Sequence, residues 1–397
     1  MVLISSLLFA IDRCKSKKKI KTGHLSYFAL ILGWWFLLIF SLTHQDFNSI
    51  YALGLASHSA MFVLLYFMIV NRVISVRSMM IVFIASMSFQ SIVAIYQFLT
   101  QSSMGLHFLG EPYISSEGAH LAKMNFSGKE LIRSYGTLPH PNVLGGFLSL
   151  SMIATFFLSV KKKGLKPALL ALQFAGLMFT FSRSALVSLI TALLLMVLLY
   201  RREAKLSSRK VINGVLGLLI AELGVVAWMR VSDLSQSSSL RVDGIMTALE
   251  VFDSHPMGVG FRAYTMALDQ VGTQALMPWD YQPVHNIFML LLTELGVFGL
   301  LLGTWFFLFT ILKLYERRKR LLTKQRLQKK RLLLCAMMII AIIGLFDHYW
   351  LSLNQGLAVL TLFFGLASAF SLDPSHVKAI KKGVSMRRSQ IDLTENL

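Results

Sequence analysis

The sequence predicts an all-α polytopic membrane protein with ten to eleven transmembrane helices and a large outer loop that carries an amphipathic helix. Three observations predict it. The first is composition: 397 residues are 55% hydrophobic and only 15% charged, whereas soluble domains carry about 25% charged residues. The mean hydropathy of +0.63 is more than an aqueous core of this size can hide. The second is length of apolar run, since crossing about 30 Å of hydrocarbon needs roughly 20 residues in a helix. Ten stretches meet that need: Leu25–Thr43, Ile50–Val70, Met79–Leu99, Asn142–Val160, Leu165–Phe181, Ser184–Tyr200, Val211–Met229, Asn286–Leu314, Leu332–Trp350 and Gln355–Phe370. Residues 1–11 are apolar too, and form a short eleventh element or an interfacial anchor. A basic run follows them in place of a small-residue cleavage site, so no cleavable signal peptide is read.

The third observation is the alternation of charge. The segments holding Arg13–Lys21, Arg72/Arg77, Lys161–Lys166, Arg201–Lys210, Lys313–Arg331 and Lys378–Arg388 contain 32 of the 39 basic residues. The intervening segments hold seven basic residues and eleven acids. Lys and Arg accumulate on the cytoplasmic side of membrane proteins, and the pattern holds over all ten stretches. The net charge of +20 therefore reports topology, and a nucleic-acid partner is excluded. The resulting organisation is a cytoplasmic or interfacial segment at 1–24, a transmembrane domain at 25–371 and a basic cytoplasmic tail at 372–397. Two outer loops, 100–141 and 230–285, are long enough to be functional. In the second, Leu240, Ile245, Leu249 and Phe252 recur at roughly helical spacing and predict a helix lying on the outer surface.

Ionisable groups at span ends are costly unless they do something, and here they gather at one face. Arg133 precedes Ser-Tyr-Gly-Thr-Leu-Pro-His140-Pro-Asn142, which opens the fourth span; Arg183 stands between the fifth and sixth; Arg241 starts the surface helix; His285-Asn286 opens the eighth span; Asp347-His348 closes the ninth. Arg183 and Arg241 have two readings each: a snorkelling or solvated cation, or a planar fork holding a phosphate or diphosphate. Arg133 shares that choice. His285 can accept a proton near neutral pH. His140, flanked by Pro139 and Pro141, is read first as a shaper of the helix start and the pocket. Asp347 pairs with a nearby Arg or His. Glu294, two turns into the eighth span and followed by Gly296 and Gly299, marks a break or kink and supports a rival reading as an ion or solute transporter. Gly258-Val-Gly260 is a weak phosphate-loop signal. No metal motif is present, and Cys14 and Cys335 cannot build a disulfide framework or zinc site.

Taken in order, these strings resemble the O-antigen ligase and O-antigen polymerase superfamily of bacterial inner-membrane glycan transferases. They are Arg133 to Asn142, Thr180-Phe-Ser-Arg183-Ser-Ala185, Arg241 with Ala248 to Gly260, His285-Asn286 with Glu294-Leu-Gly296, and Gly344-Leu-Phe-Asp347. The resemblance covers about residues 130–350. It implies a metal-independent, cofactor-free inverting glycosyltransferase of the C type, acting at the periplasmic face on a glycan carried by undecaprenyl diphosphate. It assigns donor diphosphate binding to Arg183 and Arg241 and activation of the acceptor hydroxyl to His285, with Arg133, His140, Asn142, Asn286 and Asp347 in support. The Arg-x-x-Gly-Thr-x-x-His-Pro-Asn string favours a polymerase of surface-polysaccharide repeat units over a ligase to lipid A core or to protein. Its implied partners are the lipid-linked donor, an acceptor glycan or lipid A core, a flippase and a chain-length regulator.

Overall fold

The computed structural model describes residues 20–23, 25–43, 49–73, 75–115, 121–126, 129–158, 162–200, 235–271, 281–315 and 324–371. Of the seventh apolar stretch, Val211–Met229, only Asn213, Gly217, Ile220 and Gly224 are described, each helical. Residues 1–11 and the basic tail lie outside the described residues.

The described chain is almost wholly α-helical: α1 (Leu25–Thr43), α2 (Ser49–Val70), α3 (Val76–Thr100), α4 (Pro141–Phe157), α5 (Leu165–Thr180), α6 (Arg183–Tyr200), α7 (Ser235–Ser254), α8 (Tyr264–Val271), α9 (Ile287–Tyr315), α10 (Lys324–Phe346), α11 (Tyr349–Ser352) and α12 (Asn354–Ser371). Apolar runs uninterrupted by charge leave the backbone no partner but itself, which is why each collapses into a helix. Three of them, α3, α9 and α12, are long and apolar enough to cross a membrane on their own length and composition. The first long loop departs from the all-helical expectation. It carries a small antiparallel hairpin, β1 (Lys123–Phe126) with β2 (Lys129–Ile132), pairing Lys123 with Ile132 and Phe126 with Lys129.

The helix at Ser235–Ser254 appears where the 230–285 loop was expected to carry one, but its apolar faces are distributed differently. Ala248 and Val251 are fully buried and Ile245 packs beside them, whereas Leu249 is exposed. Val242 and Met246 are exposed as well, so the helix is apolar on two sides and its sequence period alone did not select the inward one.

Four helices surround α4, which packs on α3, α5, α6 and α10; α9 packs on α1, α7, α10 and α12. Close approach requires glycine where these helices meet. A Cβ on Gly145 of α4 would lie 2.7 Å from the Ser182 side chain and 3.0 Å from that of Ala185, so this glycine lets the start of α6 come against α4. The consequence is functional, because Arg183 is the first residue of α6.

The expected break in the eighth span is present. Gly296 adopts φ 66°, ψ −167° inside α9. Interrupting the helix frees the carbonyls of Thr293 and Glu294, and the 258–260 loop satisfies them: Val259 N–H donates to Thr293 at 2.8 Å and Gly260 N–H to Glu294 at 2.7 Å. Gly258 has φ 90°, and a Cβ there would sit 2.5 Å from the Glu294 carbonyl oxygen. These glycines thus dock one backbone against another, and the phosphate-loop reading gives way to a structural one. The buried Glu294 carboxylate accepts the backbone N–H groups of Arg262 and Tyr264 at the start of α8. That role ties the outer loop to α9 and removes the main support for an ion pathway.

Candidate active site

The site is built at one end of the bundle, where α4, α6 and α9 begin and α10 finishes. A cavity of about 170 Å³ is lined there by Arg133, His140, Asn142, Phe181, Arg183, Ser184, Arg241 and His285. The basic residues Lys162, Lys163, Lys166, Lys313 and those of 324–331 lie toward the far ends of these helices. Residues drawn from four separate stretches of sequence therefore converge on one pocket.

Each side chain has an identifiable support. His140 is the N-cap of α4: its backbone is extended (φ −154°, ψ 144°), and its Nδ1 accepts the Asn142 N–H at 3.1 Å. Pro141 follows at the first helical position, where a missing N–H costs nothing. The segment before it is held by two glutamines of α3. Gln97 Oε1 accepts the Tyr135 and Gly136 N–H groups at 3.0 and 2.8 Å, and Gln90 Oε1 accepts that of Thr137 at 2.8 Å. Gly136 sits at φ 61° with its carbonyl accepting from Gln97 Nε2 at 2.9 Å. Asn286 caps α9, its Oδ1 accepting Phe288 and Met289 N–H at 2.9 and 3.1 Å, while its Nδ2 donates to the Leu345 carbonyl at 3.1 Å. Asn286 thus orients the neighbouring His285 without lining the cavity.

A polar chain runs through the wall. Arg133 Nε donates to the Thr180 carbonyl at 2.8 Å, and its Nη2 donates to Asn142 Oδ1 at 2.6 Å. Asn142 Nδ2 donates in turn to Asp347 Oδ2 at 3.0 Å. The other Asp347 oxygen accepts the His348 N–H at 3.0 Å and stands 3.6 Å from His285 Nδ1, an electrostatic contact just beyond hydrogen-bond length. The His285 and His348 rings lie 5.1 Å apart, and His348 Nδ1 bonds Ser352 Oγ at 2.7 Å.

The electrostatics favour an anion in the cavity. Arg133, Arg183 and Arg241 line it, the Asp347 carboxylate stands behind His285, and the N-termini of α4, α6 and α9 add the positive ends of their dipoles. Burial first, then the fields of Arg183 and Arg241, lower Arg133 to about 10, which leaves it charged at neutral pH. Burial and the same Arg133 charge push His140 down to about 3, so it is a neutral acceptor. Helix α10 ends at Phe346, placing Asp347 and His348 beyond it. Burial alone would raise Asp347, but the adjacent His285, His348 and His140 rings outweigh it and hold the carboxyl well below the usual carboxylate range. Burial lowers His348 to about 4.

His285, Asp347 and His348 also bring one possible metal-donor atom each within 4.8 Å of one another, a grouping the sequence motifs did not suggest. Both Asp347 oxygens and His348 Nδ1 already have hydrogen-bond partners, and three arginines nearby oppose a cation.

Arg133, His140, Asn142, Arg183, Arg241 and His285 all line the pocket; Asp347 stands behind His285 and Asn286 beside it. His348 and Ser184 fell within the polar strings read from sequence but were given no role, and Phe181 and the two glutamines were not singled out. Gln90 and Gln97 carried a signal, because two amides seven residues apart on one face of an otherwise apolar span need buried partners.

A mostly helical chain with a cationic pocket at one end of its helices, backed by a carboxylate–imidazole pair, has the features of a membrane-protein site for an anionic ligand. Residues 168–304 match the family model described as O-antigen ligase. The match takes in Arg183, Arg241 and His285. No curated protein matched the chain.

Proposed function

We propose that this protein is a glycosyltransferase of the bacterial inner membrane, with ten to eleven spans and its basic segments in the cytoplasm. It transfers a glycan from undecaprenyl diphosphate to an acceptor hydroxyl at the periplasmic face, polymerising surface-polysaccharide repeat units. The observation that carries this reading is the single cavity shared by Arg133, Arg183, Arg241 and His285.

The chemistry follows from the placement. A glycosyl diphosphate leaves as a polyanion, and preorganised guanidinium forks in a desolvated pocket stabilise the charge that grows on it. Asp347 faces Nδ1 of His285, which leaves Nε2 for the acceptor. The acceptor O–H gives its proton to Nε2 as its oxygen attacks the anomeric carbon. The carbon–oxygen bond to the diphosphate breaks with its electron pair, and the configuration inverts. No metal or cofactor is needed for these steps. His140 and Asn142 support the pocket wall, and Asn286 sets the His285 backbone.

Purified protein in liposomes with a lipid-linked glycan tests the proposal. Product growing by repeat units indicates polymerisation, and a single transfer to lipid A core indicates ligation. His285→Ala, with expression and folding retained, is expected to abolish transfer. Normal yield in that variant removes the base assignment, and solute flux without any glycan product identifies a transporter instead.

A further inference from the structure

Helix α3 buries Ile84, Met87, Gln90, Ser91, Val93, Ala94 and Gln97 and exposes Val82, Phe89, Ile92, Tyr96 and Leu99 on one continuous stripe. The stripe is uncharged and the helix is long enough to cross a bilayer, so hydrocarbon is its only plausible solvent. It does not stop at the helix end. Leu99 is 71% exposed, and the following loop presents Phe108 at 82%, Tyr113 at 79%, and Met104 and Leu109 beside them. Aromatic side chains this open are unfavourable in water but suit the headgroup boundary, where an apolar ring and a polar tip are both satisfied.

The loop is also rigidly built. Glu111 is buried, and its carboxylate accepts the Met104 and Leu106 N–H groups at 2.7 and 2.5 Å and Gln97 Nε2 at 2.8 Å. The backbone turns through the short 3₁₀ segment His107–Leu109, and His107 stacks on Tyr113 with ring centroids 3.9 Å apart. Every backbone polar group tied down at the base frees the tip to carry apolar side chains outward. Gln97, which grips Glu111, is the same residue that holds the Tyr135–Gly136 backbone next to the pocket.

We propose that residues 104–113 form a membrane-seated tip, with Phe108 and Tyr113 inserted into the headgroup boundary of the leaflet at the pocket end of the helices. The partner is a lipid surface, and the continuity of the tip with the α3 stripe selects it over a soluble glycan. Through Gln97 the tip fixes the depth of the Arg133–Asn142 wall relative to the lipid headgroups.

The test is a nitroxide at Phe108→Cys in a Cys14→Ser background, with the protein in liposomes. Cys335 is fully buried and need not be removed. Collisions with oxygen, which concentrates in lipid, are expected to exceed those with a water-soluble nickel chelate several-fold at position 108. The order reverses at a Lys129→Cys control on the exposed hairpin. A label at 108 that behaves like the one at 129 overturns the proposal, as does shielding at 108 by soluble oligosaccharide and not by lipid. Phe108→Trp, read by quenching from brominated acyl chains, gives an independent result: no quenching overturns the proposal.

Discussion

Replacing Asp347 with Asn keeps the side-chain volume and removes one negative charge 3.6 Å from His285 Nδ1. A full charge pair at that distance is worth about 4–5 kcal/mol at an effective dielectric near 20. The His285 side chain is 31% exposed, so solvent screening reduces the usable part to about 2 kcal/mol. If His285 is the base proposed above, that attraction grows as it takes the acceptor proton, so it lowers the barrier more than it strengthens ground-state binding. The expected loss in kcat is therefore at least about 30-fold, with little change in KM for the lipid-linked donor. Misorientation of the imidazole would add to it. The assay is the initial rate of glycan transfer in proteoliposomes, with the thermal unfolding midpoint of the variant as a check on folding. A folded Asp347→Asn protein within about threefold of the parent rate would refute the coupling.

Three further outcomes are expected. Acid should destabilise the protein by way of His140 and His348. Their folded values of about 3 and 4 lie below the unfolded 6.5, so the unfolded chain binds more protons and stability falls as pH drops from about 6.5 toward 4. The carboxyl of Asp347, held low, adds a loss at still lower pH. Unfolding midpoints across that range check this, and His140→Asn should flatten the upper part of the slope. Gly258→Ala should lower the midpoint by several degrees, because the residue has φ 90° and its methyl would strike the Glu294 carbonyl. Asn286→Ala should cost about 1 kcal/mol as a lost N-cap and reduce transfer further by loosening His285, measured by unfolding and turnover on the same preparation.

Much of the helical framework was legible in the sequence, because hydrocarbon imposes long apolar runs and allows few alternatives. The stretches read as Leu25–Thr43 and Leu165–Phe181 fall within a residue of the helices α1 and α5. The convergence of Arg133, His140, Asn142, Arg183, Arg241 and His285 on one cavity was legible through sidedness: polar groups at one set of span ends have only that end in which to meet. What escaped depended on partners distant in sequence. Glu294 resembled a transport group because the N–H groups it serves, on Arg262 and Tyr264, lie about 30 residues earlier. The spacing of Leu240, Ile245, Leu249 and Phe252 gave the helix but not its buried face, because Val242, Met246 and Leu249 supply an exposed apolar period as regular as the buried one. The hairpin at Lys123–Ile132 has strands of four residues, too short to show alternation. The chain through Asn142 to Asp347 spans 205 positions, and nothing in either local motif announces the other.

Binding of undecaprenyl diphosphate to the purified protein tests most directly whether the arginine pocket is the donor site. If it is, changing Arg133, Arg183 or Arg241 singly to Ala weakens binding about tenfold or more, and rising salt weakens the parent protein more than any variant. Unchanged affinity across all three variants would contradict a donor held in that cavity.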